Sequence, residues 1–195
     1  STWSEVTDVP GNDVSAQGTA GPQTAAIAAL GKTPANSNAA VVSSFEYDGT
    51  NWTAGGDANT ARFAAFATGT QTAAIFAGGN PSLTAAEEYD GSSFSNTGSL
   101  IFGAQGPSAS GTQTSALYAS GGNGGSPSGV AETQVYNGSV FATQPTLASE
   151  RGYAAGFGTA AASVVGGGLR SSGVATTEEW TGETTTETGS TIDFD

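Results

Sequence analysis

The chain has 195 residues, of which Gly, Ala, Thr and Ser make up 58%, while Leu, Ile, Val and Phe together reach only 15%. With no Cys and no His it can form no disulfide, thiolate metal site, Ser-His-Asp triad or imidazole base. A net charge of −13, from 17 acidic and 4 basic residues, argues against nucleic acid and anionic membrane surfaces, and no apolar run approaches the roughly 18 residues of a membrane helix.

So few large aliphatics beside so much charge is the composition of a disordered chain. The order of the residues argues otherwise, because the small residues recur in register. Residues 3 to 49 form the first copy of a repeat. It carries Gly21-Pro22-Gln23-Thr24-Ala25, an apolar stretch closed by Leu30-Gly31, and Glu46-Tyr47-Asp48-Gly49. The second copy, 52 to 91, opens on Trp52 and carries Gly69-Thr70-Gln71-Thr72-Ala73, the pair Gly78-Gly79, and Glu88-Tyr89-Asp90-Gly91. The third, 94 to 138, opens on Phe94 and carries Gly111-Thr112-Gln113-Thr114-Ser115, Gly121-Gly122 and Tyr136-Asn137-Gly138. The fourth, 141 to 182, opens on Phe141 and holds the decayed Gly158-Thr159-Ala160-Ala161-Ala162, then Gly166-Gly167, then Glu179-Trp180-Thr181-Gly182. Residues 183–195 follow as a further strand. The whole of 1–195 thus reads as a single repeat domain with a period of 42 to 48 residues.

Each copy reads as strands. Asp-Gly or Asn-Gly between short runs of Tyr, Trp, Phe, Val and Thr is a hairpin signal. Thr72 to Ala77 and Thr114 to Ser120 are apolar runs of strand length that glycine ends. Ala favours helix, yet Gly, Pro or Thr interrupts every Ala-rich run before a stable helix length is reached. A repeat of this length holding about four short strands is the blade of a β-propeller. The expected fold is therefore all-β, with four four-stranded blades and with N- and C-terminal strands as candidates to close it. Small residues at Ala25-Ala26, Ala73-Ala74 and Ala160-Ala161-Ala162 suit inner strands that converge on an axis. The recurring aromatics suit the wedge between blades.

The ends form a separate expectation. Trp3 aligns with Trp52, so the chain starts in the outer part of a repeat, and Thr184 to Asp195 offers an equivalent outer strand. That spare strand closes the ring, or belongs to a longer array, or pairs with another subunit. With no Met in the sequence, Ser1 is not a translation start, as in a chain that is processed, excised or read from part of a longer gene.

Candidate chemistry is sparse. Asp48, Asp90 and Asn137 are possible Ca²⁺ ligands, but each precedes a turn glycine, where Asp and Asn tolerate left-handed backbone. Glu87-Glu88 and Glu178-Glu179 are adjacent on strands, so they point to opposite faces and read as solvated strand charge rather than a paired acid and base. Acidic groups assembled between blades could still hold Ca²⁺ through oxygen ligands. Arg62 and Arg151 recur in register and suit pairing with a carboxylate of a neighbouring blade. Lys32 and Arg170 follow the glycine ends of strands outside the consensus, and are the candidates for ligand binding. Gly121 to Gly129 reads as a loop insertion and has no Lys to cradle phosphate. No catalytic residue and no metal ligand set is expected.

Tyr47-Asp48-Gly49 with Trp52, Tyr89-Asp90-Gly91 with Phe94, Tyr136-Asn137-Gly138 with Phe141, and Trp180 with Gly182 form the structural signature of the repeat. With its glycine pairs, this signature resembles the kelch repeat. Gly-Thr-Gln-Thr-Ala, Glu-Tyr-Asp-Gly-x-x-Trp and Asn59-Thr60-Ala61-Arg62 look more narrowly like repeats in virion and tail-fibre proteins of marine bacteriophages, cyanophages among them. The resemblance covers about residues 3 to 182. Kelch propellers commonly have six or seven blades where four are counted here. The resemblance implies a non-enzymatic virion structural protein, a tail, fibre or surface appendage in contact with the host surface. Its expected place is the virion or outside the cell, and its expected partners are other virion proteins or further copies of itself. The alternative is a carbohydrate-binding lectin or adhesin domain that recognises a host glycan.

Overall fold

A computed structural model describes residues 2–10, 15–33, 38–81, 83–123, 126–170 and 172–182. Among the described residues the chain is all-β, with no helix. The first sheet is an antiparallel meander of β1 (Gly18–Ala20), β2 (Ala26–Ala29), β5 (Ser44–Tyr47) and β6 (Trp52–Ala54). The second repeats it with β7 (Phe66–Thr70), β8 (Ala73–Ala77), β9 (Ala86–Tyr89) and β10 (Phe94–Asn96). The third uses β11 (Ser108–Thr112), β12 (Ser115–Ala119), β15 (Thr133–Tyr136) and β16 (Phe141–Gln144). The fourth has three strands among the described residues: β17 (Ala155–Gly158), β18 (Ala162–Gly166) and β19 (Thr177–Thr181). Small hairpins of β3 (Lys32–Thr33) with β4 (Ala39–Ala40), and of β13 (Gly122–Asn123) with β14 (Ser126–Gly129), project between second and third strands of the first and third sheets. The segment read as a loop insertion at Gly121 to Gly129 therefore contains a strand pair.

Successive sheets stack through their first strands. β1 packs on β7, β7 on β11, and β11 on β17. Among the described residues β17 makes no comparable contact with β1, and no closed ring is present. The N-terminal segment 2–10 forms no strand, and Trp3 is fully exposed rather than seated like Trp52. The expected closing strand at 183–195 lies outside the described residues.

The core sits between sheets. Ala20, Ile27 and Ala29 of the first sheet meet Ala74, Phe76, Tyr89 and Phe94 of the second. Ile75, Ala77 and Ala86 of the second meet Ala116, Tyr118, Tyr136 and Phe141 of the third. Alternation along each strand sends one row of side chains forward and the next back. The aromatics fill these gaps as expected. The Ala runs do not occupy the first strands. Ala73 and Ala74 open β8 and Ala26 opens β2, while closeness of the first strands comes from Gly, Ala, Ser and Thr in β1, β7 and β11.

The chain turns sharply after each second strand, through two consecutive residues of positive φ. These are Leu30-Gly31, Gly78-Gly79, Ser120-Gly121 and Gly167-Gly168. In the third and fourth repeats the pair thus lies one residue from Gly121-Gly122 and Gly166-Gly167. Ser120 holds φ at 63°, where two of its equivalents are glycine, and its buried hydroxyl has no partner among the described residues. A left-handed non-Gly residue costs about 1–2 kcal/mol, and a buried unpaired hydroxyl adds to that. Ser120→Gly should stabilise the chain by about 1 kcal/mol, allowing for the greater freedom of Gly in the unfolded state, read as a higher urea midpoint.

Candidate functional site

The Tyr-Asp-Gly signature builds a four-residue hairpin loop. Tyr47 pairs with Trp52, Tyr89 with Phe94 and Tyr136 with Phe141 across the strand ends. Ring centroids stand 4.9, 4.7 and 4.7 Å apart. The Asp or Asn acts as an acceptor. Oδ1 of Asp48 receives the N–H groups of Thr50 and Asn51, that of Asp90 those of Ser92 and Ser93, and that of Asn137 those of Ser139 and Val140. Left-handed backbone falls instead on the glycine that follows, at φ 93 to 95°. Backbone donors from Asn51 and Thr50 hold the Asp48 carboxyl below its ordinary range, and Ser93 and Ser92 do the same for Asp90.

Side chains also reach from each sheet to the one before it. Nε2 of Gln71 donates to the carbonyls of Ala26 and Tyr47 at 3.2 and 3.0 Å. Gln113 repeats this on Ala74 and Tyr89 at 3.3 and 2.9 Å. The Tyr89 hydroxyl donates to Glu46 at 2.5 Å, and that of Tyr136 to Glu88 at 2.8 Å. Burial, then the Glu46 carboxylate, push the Tyr89 hydroxyl well above its ordinary pKa. The fourth sheet departs from the rule on both sides of the contact. Val135 stands where Glu46 and Glu88 stand, Trp180 replaces the tyrosine, and Ala160 replaces the glutamine. The Trp180 indole donates to the Ala160 carbonyl at 3.0 Å instead.

Arg62 and Arg151 are both fully buried. Arg62 pairs with Glu87 and Arg151 with Glu178. The expected carboxylate partner is present, but it comes from the same repeat. The link lay hidden in sequence because the acid follows 25 residues after Arg62 and 27 after Arg151. Each carboxylate also caps a turn. Glu87 accepts from the backbone N–H of Asn59 and Thr60, and Glu178 from that of Ala148 and Ser149. In the third repeat Ala104 takes the arginine position and Gln134 the acid position. Gln134 Oε1 then accepts from Ile101 and Phe102.

The acidic pairs split between faces as alternation demands. Glu87 meets Arg62, and Glu88 meets Tyr136 on the other side. Solvated strand charge describes only Glu179, which is exposed; Glu87 is buried in an ion pair, and Glu88 and Glu178 are half-buried. Among the described residues no three acidic side chains gather where a metal ion could sit. The ligand-binding candidates do not form one site. Lys32 lies over the Phe63 ring, 5.0 Å from its centroid, and Arg170 faces Glu150 at 3.5 Å on the surface.

One place with room for a ligand went unread in the sequence. A recess of about 470 Å³ opens between the third and fourth sheets, lined by Ser115, Val135, Gln144, Pro145, Ala160 and Trp180. Ala160, where the three earlier repeats carry a glutamine, forms part of its wall. The loss of Gln at position 160 was the one signal for it. Its walls offer an amide and a hydroxyl, a neutral hydrogen-bonding pair, beside the aromatic surface of an indole. Compared with known families, the chain matches no family model, and a search of curated proteins finds no similar one.

Proposed function

We propose that the chain is a kelch-like β-propeller array of four blades and a non-enzymatic structural protein of a bacteriophage virion, placed in its tail, fibre or surface appendage. The observation that carries this reading is the use of its charged side chains. Arg62, Arg151, Glu46, Glu87, Glu88 and Glu178 are all engaged in holding turns and joining sheets. A repeat that commits its acids and bases to cohesion suits a scaffold. The lack of Cys and Met, which leaves little to oxidise, suits an exposed particle surface. Gold-labelled antibodies to this chain should decorate a particle or filament in a phage preparation that contains it. Labelling of soluble material alone would defeat the reading.

The recess beside Trp180 favours a second reading, a lectin-like domain. Its volume falls in the range of small-ligand sites, and an aromatic edge with neutral polar groups suits a sugar ring. The isolated chain should then bind members of a surface-polysaccharide panel, and Gln144→Ala should weaken that binding. No binding across the panel would remove it.

A further inference from the structure

We propose that the chain associates head to tail with a second copy of itself, the forward face of its first sheet docking on the rear face of its fourth. The inference does not depend on the virion reading.

The contact extends an interface that the chain already builds within itself. At the two best-formed joints, a glutamine and a tyrosine on the forward face of one sheet reach two carbonyls and a glutamate on the rear face of the sheet before. Among the described residues the first sheet carries that donor set with no sheet before it. Gln23 and Tyr47 occupy the positions of Gln71 and Tyr89, and with Trp52 and Ala26 they line an open recess. The fourth sheet carries the matching acceptor set, and among the described residues no sheet follows it. Glu179 occupies the position of Glu46 and Glu88, and it is exposed. Ser163 and Trp180, paired across β18 and β19, offer the two carbonyls that Ala74 and Tyr89 offer to Gln113.

The apolar part is equally unmatched. Ile27, Ile75 and Leu117 sit in the rear row of their sheets and are buried by the next sheet. The same row of the fourth sheet pairs Phe157 with Val164 and Val164 with Glu179. Phe157 there is 61% exposed. Val164 and Glu179 match the Ile75–Glu88 pair that the third sheet covers, while Phe157 stands where that row has Thr68 and adds exposed apolar surface. Among the described residues neither face meets a further sheet, and the two are unlike and complementary, so the contact is heterologous and each new copy presents a fresh acceptor face. The second copy's Tyr47 would donate to Glu179, and its Gln23 to the carbonyls of Ser163 and Trp180.

Light scattering of the full chain over rising concentration tests this. The mass should climb from 19.0 kDa through whole multiples of it. Phe157→Asp blocks the rear face and Gln23→Glu the forward face, both at exposed positions, and each variant alone should remain at 19.0 kDa with an unchanged melting temperature at low concentration. Mixed, they should form a two-chain species and stop there, since each keeps one working face. Glu179→Lys and Trp52→Glu repeat the experiment should either first variant fail to fold. A wild-type chain that stays monomeric at every concentration, as one that closes on itself would, overturns the proposal. So does a blocked variant that still pairs with itself, or a mixture that stays monomeric.

Discussion

Glu87→Ala should lower stability by about 3–5 kcal/mol, the cost of leaving a buried charge without its partner. For a chain of this length that corresponds to a fall in melting temperature of roughly 10 °C or more. Three losses coincide. Arg62 stays buried with no carboxylate, and the backbone N–H groups of Asn59 and Thr60 lose their acceptor. The third repeat shows how to repair the site. There Ala104 and Gln134 stand in place of the ion pair, and Gln134 Nε2 donates to the Phe102 carbonyl at 3.0 Å. That carbonyl corresponds to Thr60 O, which Arg62 serves at 3.0 Å. One amide thus replaces both the acceptor and the donor. The double variant Arg62→Ala/Glu87→Gln should recover most of what Glu87→Ala loses. Urea unfolding of both single variants and the pair measures the coupling directly. Additive losses would mean that the turn does not depend on this pairing.

Gly111→Ala should be at least as damaging, about 4 kcal/mol or more, enough to take a large share of the stability of an ordinary domain. The residue holds φ at +113°, and a Cβ there would lie 2.2 Å from the backbone carbonyl oxygen of Ser115. The obstruction is backbone in the same hairpin, so no rotamer change relieves it. Gly138→Ala provides the contrast. Its φ is +93°, but the nearest atoms to a new Cβ, those of Thr114, lie at 3.4 Å and beyond. It should cost only the backbone strain, about 1–2 kcal/mol. Thermal melts of the two variants side by side should separate them clearly; equal losses would refute the steric account.

These two sites mark where sequence reading succeeds and where it stops. The Gly of Gly-Thr-Gln-Thr and the Asp of Tyr-Asp-Gly act within their own hairpins, so spacing alone located them. Asp48 serves the turn, as its place before Gly49 suggests, but it does so by accepting two N–H groups while the glycine takes the left-handed backbone. The partner of Arg62 was out of reach, since Glu87 comes beside it only through the register of β8 on β9. Alternation separated Glu87 from Glu88 correctly, but burial depends on what the next sheet brings, and that is not a local property. The recess beside Trp180 has Ala160 in its wall, where earlier repeats carry glutamine, a change that reads in sequence as decay rather than as space.

The joints between sheets are unequal. The first two are filled by Phe76, Tyr89 and Phe94, then by Tyr118, Tyr136 and Phe141. The third gathers Ala119, Ala154 and Val165, without the glutamine staple or the tyrosine–glutamate bond. In a stack where each layer is held by its neighbours, local opening free energies follow the individual joints. Cohesion therefore declines toward the carboxyl-terminal layer, and the molecule has a direction in which it frays: heat would peel the fourth sheet away while the first three remain standing.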